Sequence, residues 1–262
     1  MQQDDYLSLA SEIAAEAGSL LLERFGGPAR GISTKSSPTD LVSDADRDAE
    51  RLLVSRIKEA CPADGIVGEE GGAADSKSGV SWILDPLDGT VNFLFGIPAW
   101  AVSIGIGDND GGFVGVVVCP PAGETYAAAR GCGATLNGDA IRVSDRKDLS
   151  TALIGTGFSY EPDARSVQAE IVRRVVPRVR DIRRGGSAAL DLCSVASGRL
   201  DGLYEAPMER WDKAAGLVIV TEAGGVWSEM PPPIEGMSPG VIASSVGIQE
   251  DLRDLVLGET WT

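Results

Sequence analysis

The spacing of apolar residues changes along the chain, and each change predicts a different arrangement of secondary structure. At residues 6–25 and 44–60 the apolar positions recur at helical spacing, which predicts two amphipathic helices. After Gly65 the pattern becomes short apolar runs between turn residues, which is typical of strands. These runs cover residues 80–84, 100–107, 113–118 and 125–129. The linker at 108–112 tolerates positive φ, so the second and third runs are predicted to form a hairpin in an antiparallel or mixed sheet.

The second half of the chain alternates between strand and helix patterns. Strands are predicted at residues 152–157, 200–204 and 241–243, and helices at residues 164–179, 187–197, 212–223 and 248–257. Strands separated by helices predict a second sheet with helices on its faces. Because no repeat, long linker or low-complexity tract intervenes, residues 1–150 and 151–262 are predicted to be halves of one domain.

The charge balance limits the partners that the chain can bind. Its 262 residues include 39 acidic residues, 23 basic residues and no histidine, which gives a net charge of −16. Such a chain repels nucleic acid and anionic membranes, so neither is expected as a partner. A phosphorylated substrate would need cations to enter its site. The absence of histidine excludes serine and cysteine hydrolases with a histidine base.

The cysteines and the N-terminal sequence predict a cytoplasmic protein. Cys61, Cys119, Cys132 and Cys193 form no C-x-x-C pair and have no histidine with which to share a metal ion, so a zinc site is not expected. Reduced core cysteines are the expectation. The chain begins with a polar run that does not resemble a signal peptide, and no stretch approaches the length of a membrane span.

A cluster of acidic residues follows the strand predicted at residues 80–84. Pro86 has no N–H and is predicted to stop strand pairing, so that Asp85 and Asp88 lie at a strand end. Two carboxylates three residues apart can flank a divalent ion, and the carbonyl oxygen of Leu87 is a further ligand within reach. This segment predicts a site for a hard divalent cation.

The residues around this cluster suit a phosphate, although each also has a purely structural interpretation. Gly89 lets the backbone approach a phosphate closely, and the hydroxyl of Thr90 can orient a water molecule. Taken alone, Asp-Pro and Asp-Gly are ordinary turn dipeptides. Glu69 and Glu70 alone predict a solvated loop, and Asp212 alone predicts the N-cap of the helix that follows it. Their joint occurrence favours magnesium-dependent phosphate chemistry.

Other phosphate and calcium motifs are incomplete or absent. The acidic run at residues 44–48 begins like an EF-hand loop, but Ala49 occupies the glycine position and Ser55 the position of the bidentate glutamate. The two-residue spacer between Asp85 and Asp88 does not match the D-x-D motif of haloacid-dehalogenase-type phosphatases. No G-x-x-x-x-G-K-[ST] loop is present.

Three segments together resemble the inositol monophosphatase family, and the resemblance covers the chain from about residue 35 to residue 225. They are Glu69-Glu70, Trp82-Ile83-Leu84-Asp85-Pro86-Leu87-Asp88-Gly89-Thr90-Val91-Asn92-Phe93 and Trp211-Asp212-Lys213-Ala214-Ala215-Gly216. The resemblance implies an α+β fold of mixed sheets and helical layers, namely a five-layer α-β-α-β-α sandwich that forms a single catalytic domain over residues 1–262. It also implies a homodimer and inhibition by lithium.

The resemblance implies two to three Mg²⁺ ions per subunit. Glu69 and Asp85 with the carbonyl of Leu87 resemble the first metal site of the family. Asp85, Asp88 and Asp212 resemble the second site. A third ion would be held near Glu69 through water molecules.

The resemblance also implies the catalytic and substrate-binding residues. The catalytic residues would be Glu69, Thr90 and Asp46, with Thr90 and Asp46 orienting a water molecule that attacks phosphate directly. Lys35 resembles part of a mobile metal-site loop. The substrate contacts would be Asp88, Gly89, Thr90, Gly186, Ser187, Ala188, Glu205 and Asp212, with Glu205 recognising a polyol.

The alcohol part of the substrate stays open. Inositol monophosphate is the first expectation, but Glu209 and Arg210 depart from the apolar or histidine residues of inositol-preferring relatives. The alternatives are fructose bisphosphate, histidinol phosphate or a nucleotide phosphate such as phosphoadenosine phosphate. A catalytically silent binding or scaffold protein would be indicated by loss of a metal ligand, and the sequence retains all of them.

Overall fold

The computed structural model describes residues 2–27, 33–34, 41–71 and 73–258. Among these residues, no helix is both long and apolar enough to cross a membrane. The helices are α1 (Gln3–Arg24), α2 (Asp44–Ala60), α3 (Thr90–Leu94), α4 (Pro162–Val175), α5 (Ala188–Ala196), α6 (Arg210–Glu222) and α7 (Gln249–Leu257). Except for the five-residue α3, each corresponds to a helix that the apolar spacing predicts, with ends displaced by a few residues.

The strands are short, and most belong to two sheets. They are β1 (Ser33–Thr34), β2 (Leu41–Val42), β3 (Gly65–Gly68), β4 (Ala73–Ala74), β5 (Ser81–Asp88), β6 (Ala101–Asp108), β7 (Gly111–Cys119), β8 (Glu124–Ala129), β9 (Gly133–Leu136), β10 (Asp139–Ile141), β11 (Leu153–Thr156), β12 (Asp181–Arg183), β13 (Gly202–Glu205), β14 (Val226–Met230) and β15 (Gly240–Ser244). Strands β1 and β2 pair only with each other among the described residues.

The larger sheet has the strand order β10-β9-β8-β7-β6-β5-β3-β4. All neighbouring strands in it are antiparallel except β3 and β5. The hairpin predicted around residues 108–112 is confirmed, because β6 and β7 pair antiparallel on either side of it. Of the two predicted alternatives, an antiparallel or a mixed sheet, the parallel pair β3–β5 shows the mixed one.

The smaller sheet has the strand order β12-β11-β13-β15-β14. Strand β11 runs parallel to both β12 and β13, while β15 runs antiparallel to β13 and β14. Its central strands β11, β13 and β15 are those that the sequence predicts. The edge strands β12 and β14 are missed, because most of their residues are exposed or half-buried and neither strand has a long apolar run.

The helices and sheets stack in five layers, as the sequence predicts. One buried cluster joins α1 and α2 to one face of the larger sheet. A second cluster fills the space between the sheets, where α5 and α6 lie, and a third joins α4 and α7 to the outer face of the smaller sheet. Helix α6 approaches β6 and β7 closely, and a Cβ atom at Gly115 would lie 2.4 Å from the carbonyl oxygen of Ala215.

The prediction that Pro86 ends the strand is wrong. Strand β5 continues to Asp88, and its pairing with β6 shifts register between Asp85 and Asp88. This bulge removes Pro86, which lacks an N–H, and Leu87 from the ladder, and pairing resumes opposite Ala101. Asp85 and Asp88 therefore both lie on β5, one on each side of the bulge.

Candidate active site

A cavity of about 490 Å³ is lined by residues from both halves of the chain. The predicted site residues in its wall are Glu69, Asp85, Leu87, Asp88, Gly89, Thr90, Gly186, Ala188, Glu205 and Asp212. Ser187 and Asp46 do not line this cavity, but each forms a hydrogen bond with a residue that does. Lys35 lies outside the described residues.

Asp85 is enclosed by other acidic side chains. Only 2% of its surface is exposed, and its Oδ1 atom accepts the backbone N–H of Leu87 at 3.0 Å. Burial, and then the negative charges of Glu69 and Asp88, raise the pKa of Asp85 well above its usual range. Asp212 adds to the same repulsion. These carboxylates need a cation or protons between them to remain together at low cost.

Asp88 is fixed by the N-terminus of α5. Its Oδ1 atom accepts the N–H of Ala188 at 3.2 Å, and its Oδ2 atom accepts the N–H of Ala189 at 2.8 Å. The hydroxyl of Ser187, the N-cap residue of α5, also donates to Oδ2. Burial raises the pKa of Asp88, and these three hydrogen bonds oppose the rise. Oδ1 accepts only one of these hydrogen bonds, so it keeps a second lone pair for another ligand.

The structure corrects the helix-capping role of Asp212. Helix α6 begins at Arg210, its N-cap is Glu209, and Asp212 occupies the third helical position. The Oδ2 atom of Asp212 accepts the N–H of Glu209 at 2.6 Å, which completes a capping box. Burial, and then the negative charges of Asp88 and Glu69, raise the pKa of Asp212 well above its usual range.

Thr90 and Asp46 meet although they lie 44 residues apart. The Thr90 hydroxyl oxygen is 2.9 Å from Asp46 Oδ1 and 3.0 Å from the carbonyl oxygen of Leu87, so its one proton can be donated to either. Asp46 is fully buried in the first turn of α2, and its Oδ2 atom accepts the N–H of Ser43 at 3.0 Å. When the proton goes to Asp46, the position of this fixed carboxylate sets the direction of the lone pairs on the Thr90 oxygen.

Replacing Thr90 by valine should lower kcat by about 10²- to 10⁴-fold, the range for one group in general acid–base catalysis. Valine keeps the shape of threonine and removes the hydroxyl that Asp46 orients. Steady-state kinetics and thermal unfolding of Thr90→Val measure the effect. Thr135→Val is the matched control, because Thr135 hydrogen-bonds Ala127 within the larger sheet away from the cavity. Equal kcat values for the two variants would contradict the assignment.

Glu205 lines the cavity and occupies space that Gly157 leaves free. A Cβ atom at Gly157 would lie 1.9 Å from Glu205 Oε1, so the carboxylate occupies the space that any other side chain would fill. Burial, and then the negative charges of Asp191 and Asp212, raise the pKa of Glu205, while the nearby Arg184 opposes the rise. Such a carboxyl group can bind hydroxyl groups of a ligand.

The sequence patterns indicate no role for three residues that shape this site. Arg184 and Gly157 line the cavity, and Asn92 donates to the carbonyl oxygens of Ala99 and Gly185 at 2.7 and 2.9 Å. A signal existed for two of them. Gly157 ends a predicted strand, where ligands commonly bind, and Asn92 belongs to a quoted segment. Arg184 carried no signal, because an arginine beside glycines is typical of a solvated loop.

The chemistry of the donors fits a hard divalent cation. The acidic side chains and the carbonyl of Leu87 supply oxygen ligands alone, which Mg²⁺ and Ca²⁺ prefer. Among the described residues, no three His, Cys, Asp or Glu side chains form a group that could hold a metal ion in its present arrangement. Asp88 and Asp212 instead turn oxygen atoms toward helix N-termini. The predicted ligand set therefore stays a prediction.

Comparison with known proteins identifies the family of the chain. The sequence pattern of the inositol monophosphatase family matches residues 2–262. The chain belongs to this family. It is 44% identical over 263 residues to inositol-1-monophosphatase SuhB of Mycobacterium tuberculosis, covering 94% of this chain and 91% of that protein. It is 41% identical over 224 residues to a Nus factor SuhB of Xylella fastidiosa, covering 85% and 81%.

The structural comparison agrees with the sequence comparison. An extragenic suppressor protein suhB of Bartonella henselae superposes with a TM-score of 0.90 at 34% identity, covering 98% of this chain and 100% of that chain. The family resemblance and the layered α+β fold predicted from the sequence are thus confirmed. As a member of the inositol monophosphatase family, the chain is an enzyme of the phosphoric monoester hydrolase class, and its family generally depends on metal ions.

Proposed function

We propose that this enzyme hydrolyses a small phosphate monoester with Mg²⁺, and that inositol monophosphate is its first-choice substrate. The observation that carries the proposal is the convergence of Glu69, Asp85, Asp88 and Asp212 on one cavity beside the hydroxyl of Thr90. A counter-cation would relieve the repulsion among these buried carboxylates, and two to three Mg²⁺ ions per subunit would supply it. We also propose that residues 1–262 act as one catalytic unit, since both halves line the cavity.

The residues of the chain suit direct attack by water. When bound, Mg²⁺ would neutralise the phosphate charge and make a water molecule more acidic. When Thr90 donates its proton to Asp46, its oxygen can accept a hydrogen bond from the attacking water, which would fix the direction of attack. Gly89 leaves the backbone open toward the phosphate, because it has no side chain in the cavity wall. This arrangement requires neither histidine nor a phosphoenzyme.

A substrate panel tests the proposed function. The chain would be freed of metal with a chelator and assayed with and without Mg²⁺ on phosphates of inositol, fructose, histidinol and adenosine. We expect hydrolysis to require Mg²⁺ and kcat/KM to be highest for inositol monophosphate. A flat panel, or a rate that does not depend on the metal, contradicts the proposal. A preference for another phosphate ester would support the proposed reaction and replace inositol monophosphate as the proposed substrate.

Lithium is expected to inhibit by replacing one Mg²⁺ ion.

Glu205→Ala should raise KM for inositol monophosphate by about 10- to 100-fold, since it removes both acceptor oxygens and a hydrogen bond to a charged group contributes about 1.5–3 kcal/mol. KM for an aryl phosphate, which lacks the adjacent hydroxyls, should change little. Gly157→Ala serves as a second variant. Its Cβ atom would push the Glu205 carboxylate out of its position without changing the identity of residue 205. Equal increases in KM for both substrates would contradict recognition of a polyol by Glu205.

We further propose that the enzyme is a homodimer. Phe95 and Ile97, which follow α3, are 73% and 47% exposed. Two large apolar side chains so close together on the surface favour an interface. Analytical ultracentrifugation checks the proposal. A dimer that dissociates in Phe95→Ser but persists in Val246→Ser supports it, because Val246 is equally exposed at 68% but lies elsewhere in the chain. A monomeric wild-type protein contradicts it.

A further inference from the structure

One peptide unit in the turn before α5 is held from both sides. The carbonyl oxygen of Gly185 accepts a hydrogen bond from Asn92 Nδ2 at 2.9 Å, and the carboxylate of Asp191 lies against Gly185 and interacts with its backbone N–H. Asn92 lies on α3, and Asp191 lies in the first turn of α5. Both side chains are buried, with 5% and 7% of their surfaces exposed. The turn is therefore fixed by two largely buried polar groups.

The contacts leave no space for a side chain in the turn. A Cβ atom at Gly185 would lie 2.4 Å from Asp191 Oδ1, and one at Gly186 would lie 2.8 Å from Asn92 Nδ2. The second hydrogen bond of Asn92, to the carbonyl oxygen of Ala99 at 2.7 Å, fixes the orientation of its amide group. The turn therefore lies directly on Asn92 and Asp191.

This turn carries residues that meet the cavity. The carbonyl oxygen of Gly186 lies 3.2 Å from where a Cβ atom of Gly89 would be, so the turn packs on the segment predicted to contact phosphate. Ser187 and Ala188 follow directly, and both donate to Asp88. A displacement of the Gly185 peptide would therefore move the groups that hold Asp88.

We propose that Asn92 and Asp191 are positioning residues, which clamp the Gly185 peptide and thereby align Gly186, Ser187 and Ala188 with the substrate phosphate and Asp88. The inference deepens the proposed phosphomonoester hydrolysis and rests on it. Neither side chain belongs to the wall of the 490 Å³ cavity, so both act through the turn.

The position of Asp191 is unfavourable for stability alone. Burial, and then the negative charge of Asp88, raise the pKa of Asp191 to about 7. A second acidic group behind Asp88 adds repulsion that an apolar residue would avoid. A requirement of the site accounts for the carboxylate better than core packing does, because this side chain packs directly on Gly185, where its Oδ1 atom lies 2.4 Å from the position of a Cβ atom.

The test combines amide hydrogen exchange with kinetics on Asp191→Ala, Asn92→Ala and the double variant. Loss of one hydrogen bond, about 1–1.5 kcal/mol, should speed exchange of the peptide covering residues 185–190 by about tenfold. KM for the preferred ester should rise by about the same factor, with kcat changed by less than about threefold. Asp191→Asn should restore both values, because its amide oxygen can still accept the N–H of Gly185.

The double variant and a control separate a clamp from a general loss of stability. Because both side chains hold the same peptide, the double variant should lose no more than the worse single variant, and losses that multiply would overturn the inference. Asp201→Ala is the matched control. Asp201 is equally buried and accepts the N–H of Leu153 at 2.8 Å in the smaller sheet, so its loss should lower stability and leave KM unchanged.

The exchange measurement keeps the inference separate from the proposed function. If the wild-type chain hydrolysed none of the esters, the proposed function would fail, whereas the exchange rates would still decide whether the clamp exists. If the wild-type chain is active and exchange at residues 185–190 is unchanged in both single variants, the clamp is overturned. If Asp191→Ala does not fold, Asn92→Ala and Asp191→Asn decide the result by the same two measurements.

Discussion

Asp85→Asn should abolish activity and at the same time stabilise the metal-free protein. Asparagine keeps the shape of the side chain but removes the charge that would hold a metal ion between Glu69 and Asp88. Loss of several kcal/mol of charge stabilisation corresponds to a decrease in kcat/KM of about 10³-fold or more. Without metal, the variant should gain about 1–3 kcal/mol, because one buried acid among repelling carboxylates is gone.

The stability gain should depend on pH in a defined direction. Burial and the neighbouring carboxylates raise the pKa of Asp85 in the folded protein well above that of an ordinary aspartate, so the folded state binds more protons than the unfolded state between these two pKa values. The metal-free wild-type protein therefore loses stability as pH rises from about 4 upward, and the variant loses less. Urea unfolding in the presence of a chelator, followed from pH 4 to pH 8, measures the difference.

A matched control separates this effect from a general response to losing a buried aspartate. Asp201 is 5% exposed and accepts hydrogen bonds from Ser144 and Leu153, so Asp201→Asn should destabilise the protein and keep its response to Mg²⁺. Asp85→Asn should show no rise in melting temperature on addition of Mg²⁺. A variant that is less stable than the wild type without metal, yet still stabilised by Mg²⁺, contradicts the role given to Asp85.

Gly115→Ala should be the most destabilising of the conservative changes considered for this fold. Its Cβ atom would lie 2.4 Å from the carbonyl oxygen and 3.2 Å from the Cα atom of Ala215, and a helix backbone cannot move aside as a side-chain end can. Forcing one extra carbon into such a contact costs about 1–3 kcal/mol. That loss lowers the melting temperature by about 2–4 °C per kcal/mol.

Gly112→Ala is the control for Gly115→Ala, because both glycines lie on β7. A Cβ atom at Gly112 would meet only Cγ2 of Val218, at 2.7 Å, and that side chain can rotate. We expect a loss well below that of Gly115→Ala. Displacement of α6 should also move Asp212 in its first turn, so Gly115→Ala should lower kcat as well. Equal, small losses in both variants would contradict the close packing of α6 on β7.

Much of the fold follows from local patterns. The helical spacing at residues 44–60 coincides with α2, and the turn-forming linker at 108–112 identifies the β6–β7 hairpin. The strands that the sequence does not predict are β1 to β4, β9, β10, β12 and β14, which have two to five residues each. A segment so short contains too few alternating positions to distinguish it from a loop, and its pairing depends on a neighbour elsewhere in the chain.

The sequence likewise predicts only some of the residues of the candidate site. The family signatures identified Asp85, Asp88 and Asp212 from the order of residue types, because oxygen-rich turns have few chemical uses in a chain without histidine. The signatures do not define where the helix begins, and Asp212 taken alone wrongly predicts the N-cap, since a capping aspartate at the third helical position and one at the N-cap differ only in that starting point. They gave no role to Arg184, Gly157 or Asp191.

The amino-acid sequence by itself determined the family, the reaction class and the acidic residues on which the proposed chemistry depends, because these rest on residue types at fixed short spacings. Only the tertiary structure decided which groups hold those residues in place. The N-terminus of α5 fixes Asp88 from about 100 residues away, Asp46 accepts from Thr90 across 44 residues, and Gly157 makes room for Glu205. Such contacts depend on how two sheets and their helices pack, which no local pattern of residues encodes.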